Sequence, residues 1–369
     1  MDLGQDGLRR AVHNLLFNCA GCKTGDTVLI VHEVERDGYY EPELAGAVGE
    51  VARELGLDPQ SYVAPFNRQV AEPDERLTAL MSAADCTVFF ARIGDQLRFR
   101  ETGTKTTRVI SYALDREMLA SSFGGTPYQA FERLKEAINA ALSGAENIQV
   151  TCPAGTDFKG RAGVDLNAGG DVTCKRFPLS VFTPVPATGF AGRIAQRGFL
   201  TGTGSQYYTP YSREIRETLY AHFEGNRLVG FDGSDEDVAA ARAHYEFVGK
   251  TYDIDTFFVH SWHVGIHPGC HYPQPAGQNF ERWSGGAFGN PRLLHFHTCG
   301  AYAPGEISLN VLDPTVRVDG VPLWENGRLQ PELLPEGAAI LECVPEMRKL
   351  FDAPSPAAGQ GAGDRLRFT

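Results

Sequence analysis

The sequence lacks the features that would mark a membrane or exported protein. No run approaches the roughly 18 consecutive apolar residues of a transmembrane helix. The N-terminal Met-Asp-Leu-Gly-Gln-Asp carries acid where a signal peptide has its hydrophobic stretch. We therefore expect a cytoplasmic protein with no membrane partner.

Cysteine and positive charge are also scarce. Eight cysteines among 369 residues are too few for a disulfide scaffold. Cys19-Ala-Gly-Cys22 has no second pair at metal spacing, so it indicates a helix end before a turn rather than a redox or metal motif. The net charge of −12 argues against nucleic acid as a partner, because nucleic acid requires a basic surface. A small-molecule partner is the expectation that remains.

The chain length and patterning predict two domains and a flexible tail. Strands and helices alternate over 1–150, which predicts an α/β domain with a mostly parallel sheet. No Gly-x-Gly-x-x-Gly follows its first strand, so a dinucleotide site has no support. Over 151–350 the pattern is mixed α+β, with hairpins at 218–231 and 315–320 and a helix at 234–248. Residues 351–369 are rich in Pro, Ala and Gly and predict a flexible tail.

Six of the ten histidines fall between His260 and His297. An even scatter would place about one in a window of this size. Neutral imidazole is a versatile ligand for zinc, copper and iron. His263 and His267 are four residues apart and share a face of a helix or strand, while His295 and His297 alternate in a strand and share one side of a sheet. The cluster predicts a metal or catalytic centre in the second domain, although it matches no short zinc motif.

The chain resembles the aminopeptidase T family of metallopeptidases and its relative, the iron-dependent dihydroxypyridine ring-cleaving dioxygenase. The resemblance runs from about Lys23 to Gly327. Its landmarks are the opening Lys23-Thr-Gly-Asp-Thr-Val-Leu-Ile-Val, the segment Ala154-Gly-Thr-Asp157, the strand Asn226-Arg-Leu-Val and the closing hairpin around Pro314-Thr-Val-Arg-Val-Asp-Gly320. In this alignment His263 falls where the peptidases have a Glu ligand and the dioxygenase a His ligand.

Two departures from the family pattern concern its metal ligands. The Gly-Glu pair of the peptidases has no counterpart in Phe177-Pro-Leu-Ser-Val-Phe, and the late His-x-Asp of both branches corresponds to Ser308-Leu-Asn310. His297 falls near a metal-proximal Ser of the dioxygenase. The resemblance therefore implies a site rebuilt around histidines, or a site that has lost its metal.

The candidate residues fall into three groups. We expect His263, His295 and His297 to bind the metal, His267 and Glu281 to act in catalysis, and a set of aromatic side chains to contact a flat substrate. That set consists of Trp262, Tyr208 and Phe296. For Glu281 the alternative is a surface acid beside Arg282, and for His267 it is a capping imidazole.

A nitrogen-rich donor set without carboxylate pairs favours one redox-capable ion over two zinc ions. The prediction is a mononuclear non-haem enzyme using Fe(II), with zinc or copper as alternatives, that opens the ring of a small aromatic or heteroaromatic substrate with oxygen. The alternatives are a metal-dependent hydrolase, either an aminopeptidase or an amidohydrolase, and a non-catalytic or metal-storage relative. The family resemblance further implies a homo-oligomer.

Overall fold

The computed structural model describes residues 3–34, 38–68, 73–98, 106–168, 173–300, 304–360 and 365–369. The α-helices are α1 (Leu3–His13), α2 (Leu44–Glu54), α3 (Glu75–Ala83), α4 (Ile93–Leu97), α5 (Arg116–Ala120), α6 (Ser122–Gly125), α7 (Tyr128–Gly144), α8 (Asp235–Tyr252), α9 (Phe280–Gly286), α10 (Pro335–Cys343) and α11 (Pro345–Asp352). The strands are β1 (Thr27–His32), β2 (Asp58–Val63), β3 (Cys86–Phe90), β4 (Thr107–Ser111), β5 (Ile148–Thr151), β6 (Asp157–Gly160), β7 (Lys175–Phe177), β8 (Val185–Pro186), β9 (Phe190–Thr201), β10 (Ser212–Glu224), β11 (Arg227–Asp232), β12 (Val259–Val264), β13 (Leu293–Thr298), β14 (Ile307–Leu312), β15 (Thr315–Val318), β16 (Val321–Glu325) and β17 (Arg328–Leu329).

The chain divides into two compact units, Met1–Glu132 with Gly170–Leu179, and Arg133–Gly169 with Ser180–Thr369. The first unit holds a five-stranded sheet in the order β2-β1-β3-β4-β7, and all of its pairings are parallel. The apolar side chains of β1 and β3 are buried, as expected for central strands of a parallel sheet. The mostly parallel sheet predicted for the N-terminal part is therefore present.

The second unit is built on a twelve-stranded sheet whose main path runs β17-β16-β15-β5-β6-β9-β14-β13-β12-β8, with the β10–β11 pair attached to β9. The pairings along this path are antiparallel. Both predicted hairpins are present, as β10–β11 and β15–β16. The predicted helix is α8, and its N-cap Ser234 accepts a hydrogen bond from the backbone N–H of Asp237.

The unit boundaries differ from a single division at residue 150. Strand β5, which we assigned to the first sheet, pairs with β15 and β6 in the antiparallel sheet of the second unit. Strand β7 lies beyond 150 but completes the parallel sheet beside β4. Each unit therefore contains chain from both sides of the predicted boundary.

The segment that composition marked as a flexible tail is packed where the structure describes it. Residues 351 and 352 belong to α11. The backbone N–H of Tyr272 donates to the carbonyl of Ala357, and that of Gly359 donates back to Tyr272. Leu366 is buried in an apolar cluster with Trp283 of α9 and Leu293 of β13. These few apolar contacts outweigh the Pro- and Gly-rich composition on which the expectation rested.

Helix α8 buries a histidine whose protonation should limit acid stability. Burial, reinforced by the positive charge of Arg213, lowers the pKa of His244 to about 4. The unfolded chain takes up the proton near pH 6.5, so the native state loses stability as the pH falls from about 6.5 towards 4. Once the pH is below the native pKa, the difference between the unfolded and native pKa of His244 has lowered the free energy of unfolding by about 3 kcal/mol. We expect His244→Phe to lose less of its free energy of unfolding than the wild type between pH 6.5 and pH 4.5 in urea titrations. Equal losses in the two proteins would contradict this.

Candidate metal centre

Two neighbouring strands of the second unit, β12 and β13, place three histidines on one face of the antiparallel sheet. Strand β12 pairs with β13 so that His263 lies directly opposite His295, and Ser261 lies opposite His297. Side chains alternate between the faces of a strand, so His295 and His297 point the same way and meet His263 from the next strand. The alternation predicted for the His295–His297 strand is present.

The three imidazoles converge through their Nε2 atoms. The Nε2 atom of His263 lies 2.5 Å from Nε2 of His295 and 3.0 Å from Nε2 of His297. One ligand nitrogen from each ring lies within 4.8 Å of the others, and all three residues are buried. Two neutral imidazole nitrogens at such distances require a proton or a cation between them, because their lone pairs repel. The donor set therefore fits a metal ion, and three imidazoles suit zinc, copper or iron.

A buried carboxylate lies behind one of these rings. Oε1 of Glu306 is 2.9 Å from Nδ1 of His297, and both side chains are at most 10% exposed. At this distance the carboxylate acts on the imidazole through its negative charge. The negative charge favours a proton on Nδ1, which leaves the Nε2 lone pair for a metal. Sequence reasoning missed Glu306, because it lies nine residues beyond His297 and outside the histidine runs.

We expect Glu306→Gln to weaken metal binding without removing it. The substitution keeps the shape of the side chain and removes the charge beside His297, and the loss of such a partner lowers metal affinity by about 10- to 100-fold. Chelator competition measures the affinity, and Glu332→Gln, at an exposed acid, serves as the control. Equal affinities in the wild type and Glu306→Gln would show that the carboxylate has no role in the centre.

Aromatic side chains pack against two of the histidines. The ring of Phe288 stacks on His295 with centroids 4.1 Å apart, and the ring of Phe182 meets His263 edge-on at 6.2 Å. Phe288 follows α9 and belongs to the apolar cluster that contains Trp283 and Leu366. These rings keep water from the sides of the centre, which strengthens electrostatic interactions within it.

Strand β14 continues the histidine face with uncharged residues. Asn310 lies opposite His295, and Ser308 lies opposite His297. The hydroxyl of Ser308 donates to Oδ1 of Asn310 at 2.9 Å, and both residues are buried. These two positions correspond to the His-x-Asp of the resembled family. The structure thus holds a neutral, hydrogen-bonded pair beside the histidines, and the described residues place no carboxylate in the convergent group.

The two predicted catalytic residues do not join the convergent group. His267 follows β12, is buried, and accepts a hydrogen bond at Nδ1 from the backbone N–H of Gly269. Glu281 lies in the first turn of α9, and its Oε1 accepts from the backbone N–H of Gln206 at 2.7 Å. These contacts give both residues a structural role, as a turn cap and as an anchor of the loop after β9.

Two of the three predicted substrate contacts lie on the other face of the sheet. Trp262 and Phe296 form a cross-strand pair, and both are fully buried. Phe158 packs edge-on against both rings, with centroids 6.1 Å and 5.0 Å away. This placement corrects the expectation that they stack on a substrate beside the histidines. They are core residues, because strand alternation turns them away from the histidine face.

The third predicted substrate contact, Tyr208, is linked to the surroundings of the centre. Its hydroxyl donates to the backbone carbonyl of Glu306 at 2.9 Å. Burial raises the pKa of Tyr208 well above its usual value, so the side chain stays a neutral donor. Burial also raises the pKa of Cys270 and that of Cys299 to about 12, and neither cysteine belongs to the convergent group.

No model of a known protein family matches the sequence, and no curated protein matches it. Among solved structures, the fold is similar to 2,5-dihydroxypyridine dioxygenase from Pseudomonas putida KT2440, with a TM-score of 0.61, 16% identity, and 90% of this chain and 99% of that chain covered. Wild-type AmpT from Thermus thermophilus matches with a TM-score of 0.47 and 14% identity, over 88% of this chain and 99% of that one. These are the two relatives that the sequence landmarks indicated. At 16% identity, the likeness to the dioxygenase establishes a shared fold.

Proposed function

We propose that the protein is a mononuclear non-haem metal-dependent oxygenase, using Fe(II), that opens the ring of a small aromatic or heteroaromatic substrate. The convergence of His263, His295 and His297 carries this proposal. Three ligands leave positions open on one ion, and an Fe(II) ion with open positions supplies the redox chemistry by which oxygen and an organic substrate react. The dioxygenase with a similar fold acts, by its name, on 2,5-dihydroxypyridine.

The protein's own residues supply three functions in this proposal. The three histidines would hold one metal ion at a fixed position, because each of them lies in a paired strand. Glu306 keeps His297 oriented with Nε2 towards the other two rings. Phe288 and Phe182 exclude water beside His295 and His263, which favours a site that receives a flat apolar ring.

A hydrolase is the second candidate, and the same donor set favours it. Three imidazoles without a carboxylate also suit one zinc ion with bound water as the nucleophile. A two-zinc aminopeptidase is disfavoured, because Ser308 and Asn310 stand where the family has metal ligands and cannot bridge two ions. We therefore expect little or no cleavage of aminoacyl amides.

Metal content and oxygen uptake together separate these functions. The protein is purified without a metal-affinity column and analysed by mass spectrometry for bound metal. Oxygen consumption is then followed with 2,5-dihydroxypyridine and other hydroxylated rings. About one equivalent of iron with substrate-dependent oxygen uptake supports the proposal. One or two equivalents of zinc with efficient amide cleavage refutes it and supports the hydrolase, and bound metal without either activity indicates the non-catalytic relative.

We also propose that the chain forms a homo-oligomer, as the family resemblance implies. Light scattering at micromolar concentration tests this, and a mass near 40 kDa, that of a single chain, would contradict it. No described helix is long and apolar enough to cross a membrane.

A further inference from the structure

The segment between β9 and β10 buries two hydroxyl groups that have no hydrogen-bond partner among the described residues. They are Oγ1 of Thr203 and Oγ of Ser205, within Gly202-Thr-Gly-Ser-Gln206. Ser205 is 2% exposed. Buried polar groups in folded proteins are almost always satisfied, because a hydroxyl that has lost water without gaining a partner destabilises the fold. Two such groups within three residues therefore call for a ligand that pairs with them.

One end of this segment is joined to the strands that carry the histidines. Thr201, the last residue of β9, pairs with Ser308 of β14, and Ser308 lies opposite His297 of β13. At the other end, the hydroxyl of Tyr208 donates to the carbonyl of Glu306, whose carboxylate contacts His297. Residues 202–207 therefore connect two residues that are each linked to His297, Thr201 through Ser308 and Tyr208 through Glu306.

The middle of the segment is hydrogen-bonded to α9, the helix that precedes β13 in the chain. The backbone N–H of Gly204 donates to Oγ of Ser284 in α9, and that of Gln206 donates to Oε1 of Glu281 in the same helix. Two residues after the end of α9, Phe288 stacks on His295. The segment is therefore linked to His295 indirectly, through α9 and Phe288.

The segment is held rigidly, which suits a binding element. A Cβ atom at Gly202 would lie 2.3 Å from the ring of Tyr211, and the hydroxyl of Tyr211 donates to the carbonyl of Gly204. Gly204 has a φ of +65°, which favours glycine. Groups held in place before a ligand arrives bind it at a lower entropic cost.

We propose that Thr203 and Ser205 bind the substrate of the histidine centre through its neutral oxygen substituents, and so determine its specificity. The inference rests on the proposed function, since it requires a substrate beside the histidines. The carboxylate of Glu281 accepts a hydrogen bond from the backbone of this segment, and its negative charge disfavours an anionic group there. A hydroxyl or oxo group on a ring pairs with a Ser or Thr hydroxyl as donor or acceptor and adds no charge.

The test combines stability with ligand binding. Free-protein stability is measured by urea denaturation for Ser205→Ala and Thr203→Val, with Ser284→Ala as a matched control whose hydroxyl is bonded to Tyr211 and Glu281. Removing an unpaired hydroxyl should leave the urea midpoint unchanged or raise it, whereas Ser284→Ala should lower it. A midpoint lowered in Ser205→Ala as far as in Ser284→Ala would overturn the inference.

Binding is measured by anaerobic titration of the iron-loaded protein with 2,5-dihydroxypyridine, followed by its ultraviolet absorbance. We expect at least tenfold weaker binding in Ser205→Ala and Thr203→Val at unchanged iron content, which is about 1.4 kcal/mol. Thr203→Ser, which keeps the hydroxyl, should bind as the wild type does. Affinities within twofold of the wild type in both hydroxyl-free variants, or iron-loaded wild type that does not bind the dihydroxypyridine, would overturn the inference. Wild type that takes up no metal refutes the proposed function instead, and the stability comparison, which needs no metal, still decides whether the hydroxyls are unpaired.

Discussion

Replacing His263 or His297 with alanine is expected to abolish stoichiometric metal binding while the fold is retained. Each ring supplies one of three nitrogens that converge within 4.8 Å, so either change leaves two ligands and breaks the chelate. Bound metal after gel filtration should fall from about one equivalent to below a tenth. His295→Ala should behave in the same way, because His295 lies directly opposite His263 in the sheet.

The matched control for these variants is His271→Ala. His271 belongs to the same run of the sequence, but its Nδ1 contacts Oγ of Ser355 and it lies outside the convergent group. It should retain full metal content. Circular dichroism and urea unfolding report whether each variant is folded. Full occupancy in folded His263→Ala and His297→Ala would refute the metal centre.

The sequence is informative about this centre where the signal is local. The alternation in Leu-Leu-His-Phe-His is sufficient to place His295 and His297 on one face of a strand, since alternation is a property of any extended chain. The partner strand is not local. His263 lies 32 residues earlier, and the register that sets it opposite His295 is fixed by packing over the whole sheet.

Strand alternation should also have corrected one of our expectations. Phe296 lies between two histidines that share a face, so it must point to the opposite face of the sheet. Assigning it to the substrate conflicted with the same pattern that identified the ligands. Glu306 and the unpaired hydroxyls of Thr203 and Ser205 are a different case, because nothing in their own segments distinguishes them from surface residues. Only the tertiary fold brings Glu306 beside His297 and buries the two hydroxyls without a partner among the described residues.

The division of the chain into two units also depends on strand pairings that are distant in the sequence. The sequence pattern predicts a strand at β5 and none at β7, and strand propensity does not identify the partner of a strand. Strand β5 pairs with β15, more than 160 residues later, and β7 pairs with β4, more than 60 residues earlier. The order of elements along the chain therefore could not show that β5 belongs to the sheet of the second unit and β7 to the sheet of the first.

Replacing Trp262 with alanine is expected to cost about 3–5 kcal/mol of unfolding free energy, because it removes one of three fully buried indole rings from a closely packed core. Four aromatic side chains surround the indole with centroids 5.5 to 6.5 Å away, namely Phe158, Phe182, Phe190 and Phe296. The cavity cannot collapse readily, since these rings belong to paired strands or pack on them. Urea unfolding at neutral pH measures the loss.

Two matched variants separate a core role from a substrate role for this residue. Trp262→Phe keeps an aromatic ring, and the indole Nε1 forms no hydrogen bond with any described residue, so this variant should retain most of the stability and the full metal content. Phe247→Ala removes a ring that is 37% exposed and should cost far less than Trp262→Ala. If Trp262→Ala were instead as stable as the wild type and lost only substrate affinity, the indole would lie at the site and the assignment of the two sheet faces would be wrong. The alternation of β12 argues for the first outcome, because the strand that presents His263 to the metal must turn Trp262 to the opposite face.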